Sequence, residues 1–371
     1  MTTLRPIVLT AGGTGGHVFP AEALAAELIS RGFALTLITD KRGKEFGGTL
    51  GKLPVHHVSA GGVAGRKLVA RVLAMTDLAV GFVQAKMLLR KLRPAAVVGF
   101  GGYASLPAML AATFSSVPTA LHEQNAVLGR ANRLLAPRVT RIATVFSRVS
   151  HLNPEYLKKV LCTGMPVRPA IIAMRNNAYA PPGSNDAIRI LIMGGSQGAR
   201  ILSEVVPAAL ARLSEALKVR LVVEQQCRAE DIEAARAAYA TAGINAELAS
   251  FFHDVPDRLA RAHLVISRSG ASTVAELTAI GRPSILVPYM YAVDDHQTAN
   301  ARAVAEAGGG WLIPQAGFTP EALAARIESL FAVPEILNKA AAAARAIGVP
   351  DAAQRLADLV GAMAQPKEVA A

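Results

Sequence analysis

The sequence predicts an α/β chain of two domains, on three observations. Two glycine-rich loops of similar design stand one in each half, Leu9 to His17 (LTAGGTGGH) and Leu191 to Ala199 (LIMGGSQGA). Each follows a short apolar run and leads into an Ala- and Leu-rich stretch with helical spacing. Around them strand-like and helix-like segments alternate, the pattern of mostly parallel sheets covered on both faces. A strand, a glycine turn and a helix leave unpaired backbone N–H groups at the helix N-terminus, where an anion can sit. The expected fold is therefore two Rossmann-like domains with parallel sheets facing across a cleft, and 371 residues suit two such domains.

In the first half the strand Ile7–Leu9 precedes a helix from about Val18 to Ser30. Arg31 and Gly32 stop it, and Phe33–Thr39 is the next strand. Further strands are expected at Val55–Val58, Ala96–Gly99, Thr119–Leu121 and Arg141–Thr144. Residues 164–186 carry Pro166, Pro169, Pro181, Pro182 and Gly183 without a strand period, and read as an interdomain connection. The second half repeats the alternation: strand Ile188–Met193, helix Ala199–Leu217, strand Arg220–Val223, a helix near Ala229–Tyr239 and strand Leu264–Ser267. Helix Ser272–Ile280, strand Ser284–Val287 and helices near Gln297–Ala307 and Pro320–Leu330 follow. The Ala-rich tail from Leu337 to Met363 reads as helix, broken near Gly348–Pro350. The domains are then 1–163, the connection 164–186, and 187–350, with a C-terminal helix over 351–371 available to pack back on the first domain.

A formal charge of +12 calls for an anionic partner. Aromatic residues are few and no zinc-finger or RNA-recognition signature is present, so nucleic acid is set aside and phosphates or acidic lipid headgroups lead. Cys162 and Cys227 lack metal-ligand spacing, and so few thiols suit a reducing cytoplasm. The N-terminus lacks the apolar core of a signal peptide. No apolar run reaches the about 20 residues that span a bilayer; the longest, Val72–Val83, contains Asp77.

The first loop alone fits a dinucleotide fold, with Asp40 as the acidic residue after the second strand, but the second loop and later motifs do not fit that reading. His17 follows the loop at a helix start, where the helix dipole disfavours imidazolium and suits a general base; a helix-start histidine bonded to backbone is the plain alternative. Gly99 to Ser105 (GFGGYAS) is a glycine turn that lets a ligand approach the backbone, with Tyr103 offering a hydroxyl. His122, Glu123, Gln124 and Asn125 put hydrogen-bonding side chains at the carboxyl end of a parallel strand, where α/β ligand sites occur. Ser267 to Glu276 (SRSGASTVAE) is a strand end, a small-residue turn and a helix start. Its amides suit a pyrophosphate, and Glu276 suits the two hydroxyls of a ribose. Asp294 and Asp295 before His296 and Gln297 read as solvated loop carboxylates.

Taken in order, Gly12 to His17, Gly101 to Tyr103, His122 to Asn125, Pro166 to Arg168, Gly194 to Ala199, Ser269 to Ala271 with Glu276, and His296-Gln297 resemble the MurG family of peripheral membrane glycosyltransferases across nearly the whole chain. The resemblance implies a GT-B fold and inverting transfer of N-acetylglucosamine from UDP-N-acetylglucosamine to the C4 hydroxyl of MurNAc in undecaprenyl-pyrophosphoryl-MurNAc-pentapeptide (lipid I). The products would be lipid II and UDP, in peptidoglycan synthesis. It further implies donor contacts at Ser196, Ala271, Ser272, Thr273, Glu276 and Gln297 and at the backbone of Phe252. Thr14, Gly15, Gly16, Asn125 and Arg168 match donor-contacting positions on the other side of the cleft. His17 is the expected base and Glu123 the alternative, with Tyr103, His122 and Gln124 on the acceptor side. No metal or cofactor is implied; cell-wall synthesis proteins are possible partners. Three departures stand out: Phe252 where Ile is frequent, Met165 for an Asn, and Gln225 to Arg228 (QQCR) for His-Gln-Thr-Gly, a segment left out of the site.

A lipid acceptor requires a membrane surface. Residues 65–75 and 83–93 mix apolar residues with Arg66, Lys67, Arg71, Lys86, Arg90 and Lys91, with Phe82 beside them. An apolar face flanked by cations suits shallow insertion among anionic headgroups at the cytoplasmic face of the bacterial inner membrane. The competing readings are a GT-B enzyme acting on diacylglycerol, a sugar-nucleotide epimerase, and a non-catalytic nucleotide-sugar module.

Overall fold

The computed structural model describes residues 5–12, 15–40, 46–61, 68–195 and 198–365. The chain divides into two compact units, residues 1–167 with 350–371, and residues 168–349.

The first unit runs β1 (Ile7–Thr10), α1 (Gly15–Ser30), β2 (Leu35–Asp40), β3 (Val55–Val58), α2 (Leu68–Leu92), β4 (Ala96–Gly99), α3 (Gly102–Thr113), β5 (Thr119–Glu123), α4 (Arg130–Leu135), β6 (Arg141–Thr144) and β7 (Val160–Cys162). Among the described residues these strands form a parallel sheet in the order β3-β2-β1-β4-β5-β6-β7. Ile7 stands opposite Leu35 of β2 and Ala96 of β4. Successive strand residues serve opposite faces. Ile7, Leu9, Leu37 and Val98 pack with Leu24 and Leu28 of α1, while Val8, Ile38, Val97 and Leu121 pack with Leu89 of α2 and Leu106 and Met109 of α3. A C-terminal helix, Ala352–Ala364, joins the first of these clusters through Leu356, Ala357 and Val360. Burial of the larger two side chains is worth about 1.5–3 kcal/mol each. Asp358 of this helix also pairs with Arg31 at 2.6 Å.

The second unit runs α5 (Pro169–Ala173), β8 (Ile188–Met193), α6 (Arg200–Leu210), α7 (Glu215–Lys218), β9 (Leu221–Gln226), α8 (Ile232–Thr241), β10 (Asn245–Ala249), α9 (Val255–Arg261), β11 (Leu264–Ser267), α10 (Ala271–Ile280), β12 (Ser284–Leu286), α11 (His296–Glu306), β13 (Gly310–Leu312), α12 (Pro320–Ala332) and α13 (Pro334–Ile347). Its described strands form a parallel sheet in the order β10-β9-β8-β11-β12-β13. Ile188, Ile190 and Ile192 face Leu202 and Val206 of α6 and Leu323 and Ile327 of α12.

The connection expected over 164–186 is different in the structure. The second unit begins at Arg168, and Ile171 of α5 is fully buried, because α5 packs on α10. The single helix expected over Ala199–Leu217 is two. Between them Arg212 pairs with Glu321, and the Ser214 N–H donates to Glu328 Oε1 at 2.9 Å, so α12 captures the turn. The strands β7, β10 and β13 are not anticipated from the sequence because they are half-exposed and all three lie at sheet edges, where apolar alternation fades.

Candidate active site

In the first sheet the strand order reverses between β1 and β4, so the turns after these two strands flank a crevice at their carboxyl ends. The turn after β1 delivers His17 as the third residue of α1, and the turn after β4 delivers Gly101, Gly102 and Tyr103. These two turns meet. Gly102 has φ +75°, and a Cβ there would stand 3.3 Å from His17 Cδ2, so the glycine both makes the turn and seats the imidazole. The His17 Nδ1 lies 3.2 Å from Gln124 Oε1, just beyond the end of β5. Gly16 and Asn125 are half-buried, and Gly15 opens α1. Thr14 lies outside the described residues.

The four polar residues at the end of β5 have separate duties. Glu123 is buried, and its carboxylate is a clamp. Oε1 accepts from the Asn125 N–H at 3.0 Å, and Oε2 accepts from the Gly129 N–H and from Asn132 Nδ2, each at 2.8 Å. With both oxygens committed to holding the 125–132 loop, Glu123 does not fit the role of alternative base. His122 and Gln124, expected on the acceptor side, are buried and point into the protein. The His122 Nε2 donates to the Gly164 carbonyl at 3.2 Å, and burial pulls its pKa down from 6.5 to about 4, so the ring is neutral. Tyr103, on α3, is half-buried and packs against the cluster that holds Leu106 and Met109.

In the second sheet the order reverses between β8 and β11. The turn after β8 is the second glycine loop, and the turn after β11 leads through Gly270 into α10. A Cβ at Gly194 would stand 2.4 Å from the Ala199 N, so only glycine lets the loop fold back on the start of its helix. Ser196 lies outside the described residues. At α10 the first-turn amides of Ala271, Ser272 and Thr273 have no partners within the helix, the arrangement that favours a phosphate. Two hydrogen bonds fix this turn from α11. Ser269 Oγ donates to the Gln297 carbonyl at 2.8 Å, and Asn300 Nδ2 donates to the Ser269 carbonyl at 3.1 Å.

Glu276 lies on α10 with its side chain about one-tenth exposed. Arg168 Nε and Nη2 both donate to its Oε1, at 3.1 and 2.9 Å. Burial raises the Glu276 pKa, and Arg168 opposes that rise. This corrects the placement of Arg168: it is the first residue of the second unit and is partnered with Glu276. The Phe252 ring is buried under the Arg258 guanidinium, 3.9 Å from the ring centroid. Gln297 Oε1 accepts from the Tyr289 N–H at 2.9 Å and so also braces the loop after β12. One residue that the sequence reading left out stands at the loop. Arg228 packs its stem against Gly198, where a Cβ would come within 2.7 Å of Cγ. The signal was present, since Arg228 belongs to a segment that departs from the resemblance. Among the described residues no group of three or more His, Cys, Asp or Glu side chains is placed to hold a metal ion.

On α2, Met75, Val80, Val83 and Met87 are exposed, with Lys86, Arg90 and Lys91 toward the C-terminal end. Phe82 is not part of that exposed stripe: it is half-buried, edge-on to Phe114, with Lys86 Nζ 5.9 Å from its centroid. Arg5, Lys86, Arg90, Arg93 and Phe114 line an adjoining depression of about 650 Å³. Arg71 lies on α2, and Arg66 and Lys67 lie outside the described residues. No described helix is long and apolar enough to cross a membrane.

Residues 7–144 match the glycosyltransferase family 28 N-terminal domain, and residues 189–356 match the glycosyltransferase family 28 C-terminal domain. The chain is 61% identical over 361 residues, 97% of each chain, to the UDP-N-acetylglucosamine–N-acetylmuramyl-(pentapeptide) pyrophosphoryl-undecaprenol N-acetylglucosamine transferase of Paramagnetospirillum magneticum. It is 59% identical to the enzyme of the same name from Rhodospirillum rubrum, covering 98% of this chain and 95% of that one. The crystal structure of Acinetobacter baumannii MurG matches with a TM-score of 0.80 at 30% identity, over 96% of this chain and 99% of that one.

Proposed function

This chain belongs to glycosyltransferase family 28 and, within it, to the MurG family, and from that membership we infer the reaction and the duty of each residue. It has the GT-B fold and transfers N-acetylglucosamine from UDP-N-acetylglucosamine to lipid I, forming lipid II. The observation that carries the donor half is the pairing of the glycine turn after β8 with the N-terminus of α10, on the two strands where the sheet order reverses, with Glu276 beside them. Amides of Gly194 to Ala199 and of the first turn of α10 hold the diphosphate, and Glu276 accepts the ribose hydroxyls. The first unit supplies the base. His17 Nε2 takes the proton of the acceptor's C4 hydroxyl as that oxygen bonds to C1 of the sugar. The bond from C1 to the phosphate oxygen breaks, UDP leaves with the electron pair, and the configuration at C1 inverts. The amides around the diphosphate stabilise the departing charge.

The test is a direct one. Purified protein given labelled UDP-N-acetylglucosamine and lipid I in detergent forms a disaccharide lipid and one UDP per transfer. Transfer to diacylglycerol in place of lipid I, or donor binding without transfer, counts against this reading.

The same reading extends to the membrane. The exposed apolar stripe of α2, its basic end and the cation-lined depression beside Phe114 support shallow docking on anionic lipid, at the cytoplasmic face of the inner membrane. Each basic residue near such a surface adds about 1 kcal/mol. The triple replacement Lys86→Ser, Arg90→Ser, Lys91→Ser is therefore expected to weaken binding to phosphatidylglycerol vesicles by roughly 100-fold or more. Equal flotation of both proteins with neutral and acidic vesicles refutes the docking.

A further inference from the structure

Beneath His17 lies a short chain of hydrogen bonds whose direction is fixed at its far end. The Gly164 carbonyl can only accept, so the His122 Nε2 3.2 Å away carries the proton. In the neutral ring the His122 Nδ1 then holds a lone pair, and Gln124 Nε2 donates to it at 3.0 Å. The same Nε2 lies 2.9 Å from the Phe100 carbonyl and 2.9 Å from the His122 carbonyl. Turning the amide over would set its oxygen against two carbonyl oxygens and a ring lone pair, so the orientation is unambiguous. The amide oxygen must therefore be the atom facing His17 Nδ1, at 3.2 Å. An oxygen there can only accept.

We propose that Gln124, held by His122, sets the tautomer of His17: it keeps the proton on Nδ1 and the lone pair on Nε2. Gln124 and His122 are thus positioning residues for the transfer. This rests on the reading of His17 as the base, and it explains why two polar side chains that no acceptor reaches sit behind that ring. The neutrality of His122 matters to the chain, since a protonated ring would offer Gln124 a second donor and reverse the link. Its burial keeps it neutral, with the Phe100 ring packed against it at 5.5 Å between centroids. Gly101 and Gly102 complete the arrangement by leaving room for the imidazole over the turn.

The tautomer is read directly from the imidazole nitrogen signals of ¹⁵N-labelled protein above pH 7.5, with the His17 signals identified by their loss in His17→Ala. The wild type is expected to show a protonated Nδ1 and an unprotonated Nε2. Gln124→Met keeps the shape and removes the acceptor, so His17 shifts toward the Nε2-protonated form that free histidine prefers. Turnover then falls roughly 10- to 100-fold while the KM for UDP-N-acetylglucosamine holds. A wild-type ring protonated on Nε2, or a tautomer unmoved by Gln124→Met, overturns the proposal. The base itself is tested separately by turnover of His17→Ala, because the nitrogen signals report the tautomer whether or not the ring takes a proton.

Discussion

After β1 the chain turns through glycines into a helix whose third residue is an imidazole, whereas after β8 it turns through glycines into a helix that opens with Arg200 and Ile201. Both turns lie where a parallel sheet reverses its strand order, and both lead into a helix. What surrounds them differs. Behind His17 the buried polar groups are mainly neutral: a carbonyl, a neutral His122 and an amide, each satisfied by the next. In the second unit the buried polar groups include several ions. Glu276 is paired with Arg168, Arg258 with Glu224 at 3.0 Å, and Arg282 donates to the carbonyls of Leu259 and Ala260 at the end of α9. Fixed charge suits a diphosphate and a diol, which are recognised without changing protonation. A neutral network suits a ring that must gain and lose a proton. The fold supplies the unit of strand, glycine turn and helix twice, and the side chains behind each copy differ.

The widest separation between the two regions comes from removing one functional group from each. His17→Ala is expected to lower turnover by roughly 10²–10⁴ with UDP affinity within twofold of wild type, measured by calorimetry. Loss of UDP binding in that variant would erase the division drawn above. Glu276→Ala has the complementary effect. Two hydroxyls lose a charged acceptor, and the KM for the donor rises roughly 10- to 100-fold, with a smaller change in turnover at saturation. A Glu276→Ala enzyme with wild-type donor KM would place the ribose elsewhere.

Most of the fold was legible because parallel strands buried on both faces are short apolar runs, and Ala96–Gly99, Ile188–Met193 and Leu264–Ser267 are found where the sequence puts them, as are Val55–Val58 and Arg141–Thr144. The edge strands β7, β10 and β13 were not legible because they are half-exposed, nor was the break between α6 and α7, which the tertiary partners Glu321 and Glu328 decide. At the site, residue type and strand-end position marked His122 to Asn125 as polar groups with a purpose, but position along a strand does not say which way a side chain points. Only packing shows that Glu123 clamps Asn125, Gly129 and Asn132 while His122 and Gln124 turn inward. Arg168 was misplaced for a related reason. Its Pro-rich surroundings read as a connection, and its partner Glu276 is 108 residues away.

The neutral network also leaves a signature in stability. His122 has its pKa pushed down to about 4 by burial, against 6.5 when exposed. Below pH 6.5 the unfolded chain takes up a proton that the folded chain refuses, so stability is lost as pH falls, by about 1.4 kcal/mol per unit. The loss reaches about 2 kcal/mol at pH 5 and levels off below about pH 4, where the folded ring protonates as well. Arg282, lowered by burial to about 10, keeps its charge throughout this window and adds no slope. His263 in the second unit is also lowered by burial and adds a slope of the same sign. The measurement is therefore the difference between wild type and His122→Gln in denaturant unfolding at pH 7 and pH 5. The variant is expected to lose about 2 kcal/mol less than wild type between the two. Parallel losses would mean that His122 is charged in the fold, and a charged His122 cannot accept from Gln124.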